Sequence, residues 1–125
     1  MQQGDMELNK LDSMYAAYKL EFENAHTVNI EDIGFANWKQ EEDGIYVQEV
    51  FVQPNMRGLK FAAKLTDRCI QNAMGNGITV NKVYTTVGIG GATIDSSLRA
   101  ITEYGFKLFK ADHELLYFYK ELNHE

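Results

Sequence analysis

Four cations stand at short, regular intervals in one stretch of the chain. Arg57, Lys60, Lys64 and Arg68 follow one another at spacings of three, four and four, so on a helix they would line one stripe. Residues 55–72 carry a balance of +3, against −8 for residues 1–54 and −1 for residues 73–125. Two chemistries fit such a stripe: a solvated helix face, or a local anion site on a chain that elsewhere repels anions. What precedes the cations bears on the choice. A β-rich run ends at Pro54, the single proline, and Gly58 opens a helical pattern four residues later. A helix N-terminus leaves backbone N–H groups unpaired and carries positive partial charge, so it attracts phosphate. Gly58 lets a phosphate approach the backbone without a Cβ in the way, and Arg57 and Lys60 add full charges at the same end. A tight strand-to-helix turn needs a glycine as well, so an Arg-Gly pair by itself is a weak sign.

Glu49 is the other conspicuous group, a carboxylate in a run otherwise made of Tyr46, Val47, Val50, Phe51 and Val52. Alternation puts Val50 and Val52 on one face of that strand, with Glu49 and Phe51 on the other. If the second face lines a cleft, Glu49 is a candidate base; otherwise it is a solvent-facing strand residue. His26, His113 and His124 show no metal-ligand spacing with one another or with Cys69, so no metal is expected. Cys69 falls on the apolar side of a helical pattern and reads as a small core residue rather than a nucleophile. No Ser-His-Asp order or Walker motif is present, and Gly88-Ile89-Gly90-Gly91 lacks the dinucleotide-binding spacing.

The elements that must position these groups follow from periodicity. Leu8, Leu11, Tyr15, Tyr18 and Phe22 recur at spacings of three and four, predicting an amphipathic helix over Glu7–Asn24 with those residues buried. Short extended pieces follow at His26–Ile30 and Ile33–Lys39, then a polar hairpin turn ending in Gly44. Ile45–Gln53 is the strongest strand signal, and Pro54 ends it because proline cannot donate to a ladder. Gly58–Met74 is helical, with Phe61, Ala62, Leu65, Cys69 and Ala73 on its apolar face, and Gly75-Asn76-Gly77 stops it. Lys82–Val87 reads as a strand, Thr93–Glu103 as a helix, and Phe106–Lys110 and Glu114–Glu121 as two closing strands. This order implies an α/β (α+β) architecture with a mixed sheet and helices on its faces.

The whole chain bounds the possibilities. Its 125 residues fit one domain, 1–125, and the 45% hydrophobic content is too high for disorder. No run reaches the roughly 18 apolar residues that cross a bilayer, and residues 1–5, expected to be disordered, lack a signal-peptide pattern. A lone cysteine rules out an internal disulfide framework and points to an intracellular, cytoplasmic chain. The net charge of −6 argues against nucleic acid or anionic membrane as a general partner.

The stretch Val50–Leu65 (VFVQPNMRGLKFAAKL) resembles the acetyl-coenzyme A signature of the GCN5-related N-acetyltransferases (GNAT). In that family a strand ending in "V-x-P" leads to arginine or glutamine, two residues, glycine, one residue, then glycine or alanine. Val52-Gln53-Pro54 supplies the strand end, and Arg57, Gly58, Ala62 and Leu65 match the loop and helix. Lys60 departs from the pattern, standing where the family usually has glycine. Gly34-Phe35-Ala36, Leu98–Phe106 (LRAITEYGF) and Leu116–Leu122 are similar to the family's preceding strand, last helix and last strand, so the resemblance spans roughly Ile30–Leu122.

The resemblance implies a V-shaped, mostly antiparallel mixed sheet of about six strands, splayed between the strand before the signature helix and the strand after it. The family's usual first strand has no clear counterpart. Acetyl-coenzyme A would lie in the split, its pantetheine arm paired to backbone of Phe51, Val52 and Gln53. Its pyrophosphate would sit on Arg57, Gly58, Leu59, Lys60, Phe61 and Ala62. Lys64 or Arg68 would meet the adenosine 3′-phosphate. Glu49 would serve as general base and a backbone N–H near Val52 as oxyanion donor. The leaving-group acid has no counterpart, because counting back four residues from Gly105 reaches Ile101; Tyr84, Tyr117 and Tyr119 are unranked alternatives. The implied function is transfer of acetyl to a primary amine of a small molecule or protein, and the acidic residues 1–54 favour a cationic acceptor. The alternative is a catalytically degenerate member serving as a coenzyme A-binding or interaction module. A longer acyl donor and a homodimer are both compatible with the resemblance.

Overall fold

A computed structural model describes residues 2–91 and 94–122, with side chains from residue 13 onward. The elements run α1 (Gln2–Glu23), β1 (His26–Ile30), β2 (Gly34–Glu41), β3 (Gly44–Val52), a 3-10 turn at Pro54–Met56, and α2 (Phe61–Gly75). They continue with β4 (Lys82–Gly88), α3 (Ile94–Tyr104), β5 (Lys107–Ala111) and β6 (Leu115–Glu121). The six strands form one mixed sheet in the order β1-β2-β3-β4-β6-β5. Only β3 and β4 pair in parallel; the other neighbours are antiparallel. The helical signal from Gly58 and the strand and turn signals around it correspond to these elements. The main boundary differences are that α1 starts at Gln2 rather than Glu7, taking in residues 2–5 that the sequence predicts to be disordered, and that α2 starts at Phe61 rather than Gly58.

The core lies between the sheet and α2. Leu65, Cys69 and Ala73 recur at four-residue intervals on α2 and are fully buried against Trp38, Ile45, Val47 and Val83 of the sheet. Phe61 and Ala62 extend that face, half-buried. Trp38 keeps its indole N–H satisfied by donating to Asn72 Oδ1 of α2 at 2.9 Å. Burial pushes the Cys69 thiol up to about 12, the behaviour of a core cysteine rather than a nucleophile. Gly44 sits where β3 meets β4 most closely: a Cβ there would overlap the Lys82 carbonyl oxygen.

One strand irregularity sets the faces of β3. Asn37 pairs with Glu49 while Trp38 pairs with Val47, so Gln48 is an extra residue, a β-bulge. The bulge shifts the alternation by one. Ile45 and Val47 before it, and Val50 and Val52 after it, therefore share the α2 face, while Tyr46, Glu49 and Phe51 share the opposite one. Simple alternation across the whole strand would have separated Tyr46 from Glu49.

The expectation for α1 is overturned where its side chains are described; Leu8 and Leu11 lie outside those residues. Tyr18 and Phe22 are 54% and 68% exposed, and Met14 and Leu20 are exposed with them. The side facing the sheet is polar: Lys19 is buried and Ala16 and Glu23 are half-buried. The reason lies in what α1 covers. It packs over β1–β3 on the face carrying Thr27, Asn37 and Glu49, where a buried amide and a carboxylate need partners more than an apolar surface does. Lys19 donates to Glu23 and Glu49 at 2.8 and 2.7 Å, Asn37 donates to Glu49 at 2.7 Å, and Thr27 donates to Asn37 at 2.7 Å. Tyr15 makes the apolar contact, edge-on to Phe35 with ring centres 5.6 Å apart.

Candidate active site

The sheet splits where the sequence resemblance implies. β3 pairs with β4 only from Gly44–Val47 to Lys82–Thr85; Gln48–Val52 and Thr86–Gly88 then run on without pairing to each other. The result is a fork whose closed end is at Val47 and Thr85 and whose open end faces the turn leading to α2. Within the fork, β3 still holds β2 along its other edge. The Gln53 N–H donates back to Ile33 O at 2.8 Å, on the β2 side. Alternation then turns the N–H groups of Val52 and Val50 toward the fork. Of the three residues expected to pair with a pantetheine arm, Phe51, Val52 and Gln53, Val52 thus offers a donor there and Gln53 does not.

The turn at the open end is built by three devices. Pro54 opens the 3-10 turn, and Arg57 folds back, its Nε donating to Val52 O at 2.9 Å and its guanidinium 5.7 Å from the Phe51 ring centre. Gly58 has φ +80°, and a Cβ there would meet nothing within 4 Å, so backbone conformation rather than crowding calls for glycine in this structure. Lys60 precedes α2 in the left-handed conformation, φ +65° and ψ +22°. That is the conformation glycine adopts freely, so the lysine carries a strain of about 1 kcal/mol.

The N-terminus of α2 has no side-chain cap and no acid in its first turn. The first-turn N–H groups, at Phe61, Ala62 and Ala63, are those a helix cannot satisfy internally. With Leu59 and Lys60 exposed beside them, they form an open, electropositive rim suited to an anion. The four cations do not form one helical stripe, because α2 begins after Arg57 and Lys60. Arg68 is tied to β1, its Nη1 donating to Asn29 O at 2.7 Å. Lys64 remains exposed, its Nζ 5.1 Å from the Phe61 ring centre.

Glu49 stands in the fork-lining half of β3, on the face opposite α2. Its Oε1 takes both the Lys19 ammonium and the Asn37 amide, and Oε2 makes neither bond. Burial alone would pull Lys19 down, but the hydrogen bonds it donates to Glu23 and Glu49 outweigh it and hold the ammonium well above the ordinary lysine value. Glu23 is correspondingly lowered by its hydrogen bond to Lys19 and that from Gln48.

Beside the closed end of the fork, on the Glu49 side of the sheet, lies an open cavity of about 740 Å³. Its walls include Tyr46, Tyr84, Tyr117 and Phe109, with Thr85 and Thr86 of β4. The structure ranks the tyrosines that sequence alone left equal. Tyr84 donates to Asp43 Oδ2 at 2.9 Å, and burial with that bond raises it. Tyr117 is raised chiefly by its hydrogen bond to Asp112. Tyr119 does not line the cavity. Tyr46, absent from the sequence-derived candidates, does; its hydroxyl shares a 2.9 Å hydrogen bond with the Thr86 hydroxyl. The signal for it was present in Ile45-Tyr46-Val47, where alternation turns the tyrosine away from the core. Tyr104 packs on Phe106 with ring centres 5.4 Å apart and donates to Asp67. No group of metal-ligating side chains occurs among the described residues, and no helix among them is long and apolar enough to cross a membrane.

By sequence the chain matches no family model and no curated protein. By structure it is similar to the PaiA N-acetyltransferase of Thermoplasma acidophilum, solved in complex with coenzyme A. That match has TM-score 0.60 and 16% identity, over 72% of this chain and 54% of that one. An IAA acetyltransferase from Bacillus cereus matches at TM-score 0.62 and 15% identity, over 80% and 79% of the two chains. A GNAT family acetyltransferase from Elizabethkingia anophelis, with acetyl-CoA bound, matches at 0.60 and 13%, over 78% and 76%. The chain therefore spans about half the length of the Thermoplasma protein and over three quarters of the other two. At these identities the likeness speaks to architecture, and the architecture of this chain is that of the GCN5-related N-acetyltransferases.

Proposed function

We propose that the chain is a short GCN5-related N-acetyltransferase that moves acetyl from acetyl-coenzyme A to a primary amine. The observation that carries this reading is the conjunction of the β3–β4 fork with the uncapped N-terminus of α2 at its mouth. Acetyl-coenzyme A is a substrate here, and similar folds are recorded with it or with coenzyme A. Arg57, Gly58, Leu59, Lys60, Phe61 and Ala62 would hold its pyrophosphate, through backbone N–H groups and the Lys60 ammonium. Lys64, exposed and without an ion pair among the described residues, is the cation we favour for the 3′-phosphate over Arg68, which already donates to Asn29 O. The fork-facing N–H of Val52 would pair with the pantetheine arm, while alternation commits the Phe51 backbone to β2.

Acyl transfer needs a neutral amine, a donor to the carbonyl oxygen and a proton for the departing thiolate. The amine attacks the thioester carbonyl, the C–S bond breaks and the amide forms. Glu49, through Oε2, is the base in this reading, with Lys19 and Asn37 fixing its orientation through Oε1. A fork-facing N–H near Val52 is the oxyanion donor, and Val50, nearer the closed end, is the one free for it. Tyr46 is the proton donor we favour, since Tyr84 and Tyr117 already donate to carboxylates. The acceptor enters from the cavity side, and an intracellular, cytoplasmic setting fits both the lone cysteine and the acyl donor. A homodimer is compatible with this reading but not required by it.

Isothermal titration with acetyl-coenzyme A tests the reading first; no heat at millimolar coenzyme would sink it. Once acetylation of an amine is detectable, Glu49→Gln should lower kcat by about 10²-fold or more near neutral pH. An unchanged rate across the pH profile removes Glu49 as base. One observation favours the second reading, a coenzyme-binding module without catalysis: Glu49 is already engaged by an ammonium. Coenzyme binding with no turnover of any amine would establish it.

A further inference from the structure

Resting on the acetyltransferase reading, we propose that the cavity beside the fork selects an acceptor with two ammonium groups, an aliphatic diamine or polyamine. The aromatic walls hold one cation while the other nitrogen is presented to the thioester. The rings of Tyr46, Tyr84, Phe109 and Tyr117 line the cavity, and Glu41, Glu42 and Asp43 close one end of it. No lysine or arginine lines it. Aromatic faces attract ammonium groups, and this face of the sheet already does so, on the lining ring of Tyr117 and on Tyr119 outside the cavity. Lys110 Nζ lies 5.1 Å from the Tyr117 ring centre and Lys82 Nζ 5.5 Å from that of Tyr119. Among the described residues, none of the chain's own cations covers the rings of Tyr46, Tyr84 or Phe109.

The acids complete the match. Asp43 is partly committed, accepting the Tyr84 hydroxyl and lying 4.0 Å from Lys82 Nζ. Among the described residues Glu41 and Glu42 form no ion pair, so this end of the cavity carries uncompensated negative charge. A nitrogen held against carboxylates stays protonated and cannot attack a thioester. The attacking amine must therefore be a different nitrogen, near the closed end of the fork at Val47 and Thr85. Between the acidic turn and that point lies the paired half of β3, Gly44–Val47, a span on the order of 10 Å at the rise of a strand. A monoamine cannot satisfy both ends. An aromatic monoamine would use the rings but leave the acids unmatched.

The test uses the intact chain without coenzyme and three probes of one length: 1,8-diaminooctane, octylamine and 8-aminooctanoic acid. Isothermal titration at neutral pH should give the diamine an affinity about tenfold or more above either of the others. Phe109→Ala and Glu42→Gln, both at exposed positions, should each weaken the diamine roughly three- to tenfold and leave acetyl-coenzyme A affinity unchanged. Equal affinities, preference for the amino acid, or no binding of any probe at millimolar concentration would overturn the proposal. A parallel titration with acetyl-coenzyme A separates the two readings. Diamine selectivity without coenzyme binding defeats the transferase and leaves a cation site, whereas coenzyme binding without diamine selectivity does the reverse.

Discussion

The β3–α2 junction and helix α1 answer to different kinds of information. At the junction, Pro54, Gly58 and the apolar spacing Leu65–Cys69–Ala73 each act through a backbone or a neighbour close in sequence, and the structure uses them as the pattern predicts. In α1 the residues that repeat like a core, Tyr18 and Phe22, face outward, and Lys19 faces in. The periodicity of α1 correctly marked a helix. Which side it buries was decided by Asn37 and Glu49, residues 18 and 30 positions downstream of Lys19 whose polar groups need partners. A helical period reports a possible face, and the surface beneath it selects the actual one.

The sharpest way to break this contrast is to cut the junction helix away from the sheet. Leu65→Ala should cost about 2–5 kcal/mol, read from urea or thermal unfolding, because it empties a fully buried site. A loss below 1 kcal/mol would mean α2 does not anchor the core.

Lys19→Met comes next and probes the inverted helix. It removes the ammonium that neutralises Glu23 and Glu49, so it should destabilise the fold at neutral pH although methionine is more apolar. The sign of the pH dependence follows from the shifts. Lys19 is raised, so its contribution is complete below the ordinary lysine value and fades at strongly alkaline pH. Glu23 is lowered, so its contribution holds above the ordinary glutamate value of 4.5 and is lost as pH falls below it. The difference in unfolding midpoint between wild type and Lys19→Met should therefore be widest between about pH 5 and pH 10 and shrink at pH 3. A variant more stable than wild type at pH 7 would show that α1 tolerates an apolar inner face.

Smaller still is Lys60→Gly, which relieves the left-handed residue and should raise stability by about 0.5–1 kcal/mol. The same change removes a charge that the proposed function assigns to the pyrophosphate, so tighter acetyl-coenzyme A binding in the variant would show that backbone fit outweighs that charge. The smallest expected effect is that of Tyr18→Ser with Phe22→Ser. Both side chains are mostly exposed, so the pair should shift stability by no more than about 0.5 kcal/mol per site. A large loss would restore the amphipathic reading of α1.

Much of the site was legible because it is local. Val52-Gln53-Pro54 and Arg57-Gly58 mark the strand end and turn, and Lys60 was visible as a departure from glycine. Three features were not. The bulge at Gln48 cannot be read from alternation, because it depends on how β2 registers with β3. The Arg68 contact requires the Asn29 carbonyl of β1 to lie beside α2. The cavity assembles Tyr46, Tyr84, Phe109 and Tyr117 from four strands, whose adjacency follows only from the strand order.

The sequence by itself determined the order of elements, the strand–turn–helix junction at Pro54–Phe61, the apolar face of α2 and the core role of Cys69. These rest on backbone conformation, on period and on composition, each acting within a few residues. Tertiary structure alone decided that β3 and β4 part after Val47 and Thr85, that α1 turns its lysine inward, and that Glu49 shares a face with Tyr46. Those outcomes depend on pairing register and on satisfying buried polar groups between segments far apart in the chain, which no single stretch of sequence encodes.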